Sequence, residues 1–218
     1  MTDYTVTIGR QNGSGGREVG KILAEKMGVP CYDWEVVEET ARKYGKTVEE
    51  VEKTEERSRT KSKFYFGGLP STNPVFEQQS QVVRDFAANG QCVFVGRSAD
   101  YVLRDRTDVV NVFITAPIEA RVRRSMDRNG ISEADALKRV TGKDRSRASY
   151  YSMYTGKTWG DAANYHLSVN TGPIGVEAAA DLILEYIRLM NRRRGHPPDL
   201  TAAARTAGPP VFTSFSVL

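Results

Sequence analysis

The sequence predicts an α/β protein whose five-stranded parallel sheet is covered by helices on both faces. Short apolar runs at residues 92–95 and 109–114 show no polar alternation, which is typical of strands buried on both faces. Longer segments between such runs carry apolar residues at every third or fourth position, which is typical of helices. Alternating strands and helices favour parallel pairing, and in such sheets ligands bind beyond the carboxyl ends of the strands.

The bulk composition favours a single domain and indicates neither a membrane nor a nucleic-acid partner. The chain has 218 residues, and no apolar run approaches the length of a membrane span. A net charge of +4 is too small to indicate nucleic-acid binding by itself. No secretory signal is visible, and Cys31 and Cys92 lie in or beside apolar runs, as free thiols do in a reducing compartment. We therefore predict a cytoplasmic protein with neither a membrane nor a nucleic-acid partner.

The first element is a strand that runs through a glycine turn into a helix. Val6 and Ile8 mark the strand, residues 9–18 form the turn, and apolar residues spaced three and four apart continue to residue 27. Such a turn directs backbone N–H groups and the positive end of the helix dipole at a phosphate. The alternative is a tight turn without a ligand, but three glycines at residues 13–16 exceed what a turn needs and favour anion binding.

The next segment predicts a second short strand at residues 30–32 that ends in Asp33. Helices are predicted before and after a charge-rich stretch at residues 47–63, which has almost no apolar face and is interpreted as a solvated helix or a mobile arm. Three consecutive aromatics at residues 64–66 follow this stretch, and we interpret them as a hydrophobic plug that anchors the arm.

The second half continues the alternation of strands and helices. In order, it predicts a strand at 92–95, a strand at 109–114, a helix at 118–128, a helix capped by Ser132, a strand at 166–170 and a helix that closes at residue 190. Gly96 and Arg97 follow the first of these strands. Residues 191–218 contain proline pairs and an alanine run, so we predict a flexible tail there.

The glycine turn departs from both common nucleotide-binding motifs. The dinucleotide motif Gly-x-Gly-x-x-Gly fails because Glu18 stands at its third glycine. The phosphate loop Gly-x-x-x-x-Gly-Lys-Ser/Thr also fails in strict form. With Gly15 as its second glycine, Arg10 occupies the first position and Gly16 the lysine position.

A cationic cluster follows the fourth strand. Arg121, Arg124 and Arg128 fall on one helical face, and further lysines and arginines follow between residues 138 and 157. Several arginines over a phosphate site would neutralise the charge of a transferring phosphoryl group. Solvated helix faces and nucleic-acid contacts are the alternative explanations of the same cluster.

Two acids and one arginine are further candidate site residues. Asp33 could accept a hydroxyl proton, hold Mg²⁺ through water, or cap the following helix. Asp144 could contact a ligand or form a structural ion pair with Arg145 or Arg147. Arg97, beyond a strand end, is predicted to bind a monophosphate or its ribose. Neither histidine has metal-ligand spacing, so no protein metal ligand is assigned.

Taken together, these segments resemble the cytidylate kinase-like family, a divergent branch of the nucleoside monophosphate kinases. The resemblance covers roughly residues 4–190, and its most distinctive part is Gly-Arg-Gln-Asn-Gly-Ser-Gly-Gly-Arg-Glu at residues 9–18. The segments that carry it are residues 8–20, 32–33, 95–101, 112–117, 142–148 and 154–161.

The resemblance implies a three-layer α/β/α P-loop kinase fold over residues 1–190. It implies an acceptor-side helical insertion at residues 35–88, a lid region at residues 129–160 that carries an arginine-bearing loop at residues 144–147, and a tail at residues 191–218. The implied activity is ATP-dependent, Mg²⁺-assisted phosphorylation of CMP, dCMP or a related monophosphate. A nucleoside triphosphate and a nucleoside monophosphate are therefore the expected ligands.

The resemblance also implies residue roles. The residues expected at the donor phosphates are Asn12, Gly13, Ser14, Gly15, Gly16, Arg17 and Glu18. The residues expected at the acceptor are Asp33, Arg97 and Asp144, and those with catalytic roles are Arg17, Arg124, Arg145, Arg147 and Asp33. Arg17 could replace the missing lysine, and Glu18 could contact the metal through water. Gly16 and Glu18 also favour the alternative, a nucleotide-binding regulatory protein of the same fold that does not catalyse transfer.

Overall fold

The computed structural model of the protein describes residues 4–52 and 73–195, with only the backbone of residues 194 and 195. The predicted aromatic plug, most of the charge-rich arm and most of the tail lie outside these residues. The described elements are β1 (Thr5–Arg10), α1 (Gly16–Met27), β2 (Cys31–Tyr32), α2 (Glu35–Lys43), α3 (Pro74–Ala88), β3 (Val93–Val95), α4 (Ala99–Val102), β4 (Val109–Thr115), α5 (Ile118–Asn129), α6 (Glu133–Thr155), β5 (Leu167–Asn170) and α7 (Thr171–Gly195).

The five strands form one parallel sheet in the order β2-β3-β1-β4-β5. β1 lies at its centre, where Ile8 is in register with Val95 of β3 and Val112 of β4. Because all the strands run in one direction, their carboxyl ends meet at a single edge of the sheet. The glycine turn, Asp33, Arg97 and the start of α5 are thereby brought to that edge.

Each face of the sheet is covered by helices. On one face α1 and α7 bury an apolar cluster that includes Leu23, Ile183 and Ile187 against β1 and β4. On the other face α3, α4 and α6 bury a second cluster, in which the Phe76 and Tyr154 rings stack with centroids 4.3 Å apart. The predicted three-layer α/β/α fold is confirmed. No helix among residues 4–52 and 73–195 has the length and apolarity to span a bilayer.

The structure differs from the sequence prediction in the segment that contains Asp144. The resemblance implied a loop at residues 144–147, but these residues lie in the middle of α6, a helix of 23 residues. Ser132 caps the helix by accepting a hydrogen bond from the Asp135 amide, as predicted, and Gly156 ends it with φ 70°. The side chains in this segment are therefore held by a regular helix.

The structure differs from the sequence prediction in two further segments. α7 continues to Gly195, five residues beyond the predicted end, and Arg188 and Arg192 both pair with Glu185 on its exposed face. The described start of the charge-rich stretch is helical at residues 48–52, and it buries Val51 in a small apolar cluster with α2. An apolar side chain therefore anchors a stretch that the sequence predicted to be solvated.

Candidate active site

Two neighbouring cavities open at the carboxyl edge of the sheet. The larger has a volume of about 480 Å³ and lies between the ends of β1 and β3 and the inner face of α6. The smaller has a volume of about 230 Å³ and lies between the glycine turn and α5. Residues common to both linings are Arg10, Asn12, Arg17, Arg139 and Arg147. Two ligands bound side by side would therefore meet over the same group of arginines.

The smaller cavity lies at the N terminus of α1. Gly15 caps this helix with φ 81° and without a side-chain hydrogen bond, and Gly13 has φ 77°. A side chain at Gly13 would also come within 2.7 Å of the Arg121 carbonyl oxygen, so glycine is needed there. The amides of the first helical turn have no partner inside the helix, and with the helix dipole they favour an anion in this cavity.

Arginine side chains hold the turn by its carbonyl oxygens. Arg124 Nη1 donates to the Gly13 oxygen at 2.5 Å, and Arg147 Nη1 donates to the Arg10 oxygen at 3.1 Å. Arg121 Nη1 donates to the Asn12 oxygen at 3.3 Å. These contacts hold Arg124 and Arg147, two of the residues with expected catalytic roles, against the glycine turn.

The lining of the smaller cavity is strongly cationic. Its described charged residues are one carboxylate, Glu18, and six arginines, namely Arg10, Arg17, Arg124, Arg128, Arg139 and Arg147. Glu18 itself pairs with Arg128. A polyanion such as a triphosphate is the ligand that this charge distribution favours.

Asp144 lines neither cavity and instead stabilises the turn. Its Oδ1 accepts a hydrogen bond from the Asn12 amide at 2.6 Å, and its Oδ2 pairs with Arg121. The ion-pair interpretation was therefore right in kind, but the partner is Arg121 rather than Arg145 or Arg147. Helical spacing could not reveal this partner, because it lies on a different helix.

Asp33 is the anchor of three arginines. Its carboxylate lies 2.5 Å from Arg17 Nε, 3.4 Å from Arg10 Nη2 and 3.9 Å from Arg97 Nη2. The residue is only 7% exposed and lines neither cavity. The alternative of a helix cap is wrong, because α2 begins after Trp34 without a side-chain cap hydrogen bond. Asp33 therefore positions arginines that line the cavities.

Arg97 reaches the larger cavity from a strained turn. Gly96, Arg97 and Ser98 all have positive φ, at 84°, 60° and 49°. Such a conformation is unfavourable for residues with a side chain and is often found where a functional group must be aimed. The Arg97 side chain is 8% exposed, and its Nε donates to the Asp33 carbonyl oxygen at 3.3 Å. It is therefore fixed at the cavity wall, and its binding of a monophosphate or ribose stays a prediction.

Another part of the larger cavity has aromatic walls and one half-buried acid. Tyr150, Tyr151, Trp159 and Tyr165 line it, together with Asp100. The Tyr151 hydroxyl donates to Asp100 Oδ2 at 2.6 Å. Burial raises the pKa of Asp100, and burial together with the charge of Asp100 raises the pKa of Tyr151. Flat apolar surfaces next to a hydrogen-bonding carboxyl can accommodate a heteroaromatic ring.

Two further predicted site residues, besides Asp33 and Asp144, stand apart from the cavities. Arg145 is exposed on α6 and lines neither of them. Ser14 is buried, its hydroxyl donates to the Gln11 oxygen at 2.9 Å, and its own carbonyl accepts from the Thr171 hydroxyl at 2.7 Å. Ser14 thus stabilises the turn from behind.

Sequence reasoning missed Arg10 and Asp100 as site residues. Arg10 was seen only as a departure from the phosphate-loop motif, because no spacing rule links it to the second or third strand. Asp100 is the first acid after Arg97 in the sequence, but its surroundings depend on α6 and on the segment before β5. The juxtaposition of Gly96 and Arg97 with an acid three residues later was the only signal available.

The side chains fit Mg²⁺ only as an ion shared with bound phosphates. No group of three or more His, Cys, Asp or Glu side chains that could hold a metal occurs among residues 4–52 and 73–195. The carboxylates of Asp33 and Asp144 line neither cavity. Mg²⁺ often binds one or two carboxylates plus substrate phosphates and water, so Glu18 at the smaller cavity is the described acid that could contribute.

Comparison with known proteins identifies the family and the fold of the chain. The sequence model of the cytidylate kinase-like family matches residues 5–173. A cytidylate kinase from Aeropyrum pernix is 28% identical over 184 residues, which make up 84% of this chain and 96% of that protein. A solved but uncharacterized protein from Eubacterium ventriosum is 27% identical with a TM-score of 0.68, over 85% of this chain and 98% of that one. A shikimate kinase from Bacteroides thetaiotaomicron shares the fold at 14% identity, with a TM-score of 0.52 over 85% of this chain and 98% of that one.

Proposed function

The chain belongs to the cytidylate kinase-like family, and from that premise we propose that it transfers the γ-phosphoryl group of ATP to CMP, dCMP or a related monophosphate. The observation that carries the proposal is the pair of cavities that meet over Arg10, Arg17 and Arg147. A donor in the smaller cavity and an acceptor in the larger one would present their phosphates to the same cations. Such a reaction, and the free cysteines, fit a location in the cytoplasm.

In the proposed reaction an oxygen of the monophosphate attacks the γ-phosphorus of ATP. The new P–O bond forms as the bond to the β–γ bridging oxygen breaks, and that oxygen leaves with its electron pair on ADP. The attacking phosphate oxygen is already anionic at neutral pH, so no proton has to be removed and no general base is assigned. Catalysis then depends on positioning and on charge stabilisation.

The donor phosphates would bind at the N terminus of α1. The backbone of residues 13–17 supplies N–H groups, and Arg124, already tied to the Gly13 oxygen, supplies charge from α5. When bound, Mg²⁺ would add positive charge at the β- and γ-phosphoryl oxygens. Glu18 would hold that ion through water, from its place in the lining of the smaller cavity.

The transferring group would lie over the residues that both cavities share. Arg147 reaches this point from α6, where its Nη1 donates to the Arg10 oxygen, and Arg17 reaches it from α1. Asp33 fixes Arg17 through Nε, and Asp144 fixes the turn through the Asn12 amide. In this scheme the two aspartates are positioning residues, and the arginines stabilise the developing charge.

The acceptor would lie in the larger cavity. Arg97 would contact its phosphate or ribose, and the aromatic walls would enclose its base. A carboxyl group accepts hydrogen bonds from the exocyclic amine of cytosine, which supports CMP or dCMP as the acceptor if Asp100 is the group that meets the base. The volume of about 480 Å³ is within the range of small-molecule sites.

The test is a panel of acceptors. The protein is incubated with ATP, Mg²⁺ and each common nucleoside monophosphate in turn, and ADP formation is followed. We expect turnover with CMP or dCMP and little with purine monophosphates. Turnover with none of the acceptors, together with nucleotide binding measured by calorimetry, would contradict the proposal.

A second candidate function is nucleotide binding without transfer. Gly16 removes the lysine of the ordinary phosphate loop, and Glu18 places a carboxylate beside the donor phosphates, where it can repel them. Its pairing with Arg128 reduces that repulsion, which supports the kinase over the inactive binder. The same acceptor panel separates the two functions.

A further inference from the structure

Arg10 occupies the space that a lysine at position 16 would need. A Cβ atom placed on Gly16 would lie 2.5 Å from Arg10 Cβ and 3.0 Å from Arg10 Cγ. Real side-chain carbons do not approach so closely, so the Cβ and Cγ atoms of Arg10 exclude any side chain at position 16. The lysine position of the phosphate loop is therefore glycine for a packing reason, and the residue that fills the place is itself a cation.

The Arg10 guanidinium is held at the end of the neighbouring strand. It lies against Gly96, where Nη1 occupies the place that a Cβ would take. Its Nη2 is 3.4 Å from Asp33 Oδ1. Gly96 and the Asp33 carboxylate thus fix the orientation of the Arg10 side chain, which extends from the end of β1 towards the turn after β3.

Arg10 is less exposed to solvent than Arg17, the replacement for the lysine that the sequence suggested. Both side chains line both cavities. The Arg10 side chain is 14% exposed, whereas the Arg17 side chain is 52% exposed. A poorly solvated charge stabilises a developing anion more than a solvated one, because water screens it less.

We propose that Arg10 is a catalytic residue that takes over the task of the absent phosphate-loop lysine by contacting the transferring phosphoryl group. The inference rests on the proposed function for its chemistry and on Gly16 and Gly96 for its geometry. Arg10 donates N–H groups to the γ-phosphoryl oxygens and forms no covalent bond. The electron pair of the breaking bond still leaves on the bridging oxygen of ADP.

The first test separates the charge of Arg10 from its packing. Arg10→Met keeps an unbranched stem against Gly16 and removes the charge, whereas Arg10→Lys keeps a charge. We expect turnover with ATP and CMP to fall by about 10²-fold or more in Arg10→Met, and by about tenfold or less in Arg10→Lys. Turnover of Arg10→Met equal to that of the unmodified protein would overturn the proposal. Circular dichroism and thermal unfolding check that each variant is folded.

The second test exchanges the two positions. The Gly16→Lys variant alone should be destabilised, because a Cβ atom at position 16 would clash with Arg10 Cβ. Arg10→Gly combined with Gly16→Lys restores both motif positions, glycine at the first and lysine after the second glycine. We expect the double variant to recover at least about tenfold in turnover over Arg10→Gly alone. A folded double variant that is no faster than Arg10→Gly would overturn the proposal.

A binding measurement distinguishes failure of this inference from failure of the proposed function. ATP is titrated into the full-length protein and into Arg10→Met by calorimetry, with adenosine as the ligand that lacks phosphates. Suppose that no acceptor is turned over, and that Arg10→Met binds ATP at least about tenfold more weakly than the unmodified protein but binds adenosine equally well. The proposed kinase function is then wrong, whereas the contact of Arg10 with the donor phosphates is supported. Equal ATP affinity in the two proteins would overturn the assignment of Arg10.

Discussion

Arg17 Nε and Asp33 Oδ2 lie 2.5 Å apart, so the first turn of α1 is tied to the end of β2, beside the larger cavity that Arg17 lines. This contact links the side chain expected at the donor phosphates to an acid expected at the acceptor. Because the bond uses Nε, the two terminal nitrogens of the Arg17 guanidinium can meet a ligand while Asp33 fixes the orientation of the group.

We predict that Arg17→Ala lowers turnover by about 10²-fold, the scale of losing one positioned charge at a transferring group. Asp33→Asn should lower turnover less in the Arg17→Ala variant than in the native protein, because one role of Asp33 is to position Arg17. A double-mutant cycle on kcat/KM measures this coupling. Effects that multiply independently would show that the 2.5 Å contact does not matter for the reaction.

Two arginines on α6 that the sequence placed together should behave differently. Arg147 lines both cavities, whereas Arg145 is exposed and lines neither. We predict that Arg147→Ala lowers kcat by about 10²-fold and that Arg145→Ala stays within about twofold of the native value. Steady-state kinetics with ATP and CMP measures both. Equal losses in the two variants would mean that α6 presents a different face to the substrates.

Glu18 should govern the requirement for Mg²⁺. It is the described carboxylate in the smaller cavity, and its pairing with Arg128 holds it at the helix N terminus. We predict that Glu18→Gln raises the Mg²⁺ concentration needed for half-maximal turnover by about tenfold or more, as removal of a metal-supporting group does. Saturating Mg²⁺ should restore most of the rate. An unchanged Mg²⁺ dependence would remove Glu18 from the metal site.

The stability of the protein should depend on pH through Asp100. Burial raises its pKa, so between its ordinary pKa and the raised one the folded protein binds more protons at this group than the unfolded chain does. Its contribution to stability is therefore fully present below the ordinary pKa and is lost as the pH rises through the raised pKa.

We accordingly predict that Asp100→Asn, which stays neutral and can still accept the Tyr151 hydrogen bond, gains stability relative to the native protein as the pH rises. Urea unfolding at about pH 4 and about pH 7.5 measures the difference in unfolding free energy between the two proteins. A difference that is the same at both pH values would show that burial does not penalise the ionised Asp100.

The sheet could be predicted from the sequence because its central strands are buried on both faces. The apolar run at 109–114 lies within β4, and the run at 92–95 contains β3. The start of α6 was equally readable, since Ser132 caps it as predicted. The course of α6 through residues 144–147 was missed because the family resemblance, rather than the residues themselves, suggested a loop.

The site could be predicted only in outline. Strand ends and glycines indicated which residues gather at the carboxyl edge of the sheet. The partners within that set depend on strand order and on helix placement. Asp144 meets Arg121 on another helix, and Arg10 reaches Asp33 because β3 lies between β1 and β2. No local pattern in the sequence encodes either contact.

The most direct test of the account follows the phosphoryl group itself. The protein is incubated with Mg²⁺, CMP and ATP labelled in its γ-phosphoryl group, and the nucleotides are separated. We predict that the label appears in CDP in an amount equal to the ADP formed, and that the transfer is about 10²-fold slower in Arg147→Ala. Label found only in inorganic phosphate, or retained in ATP, would contradict transfer between the two cavities.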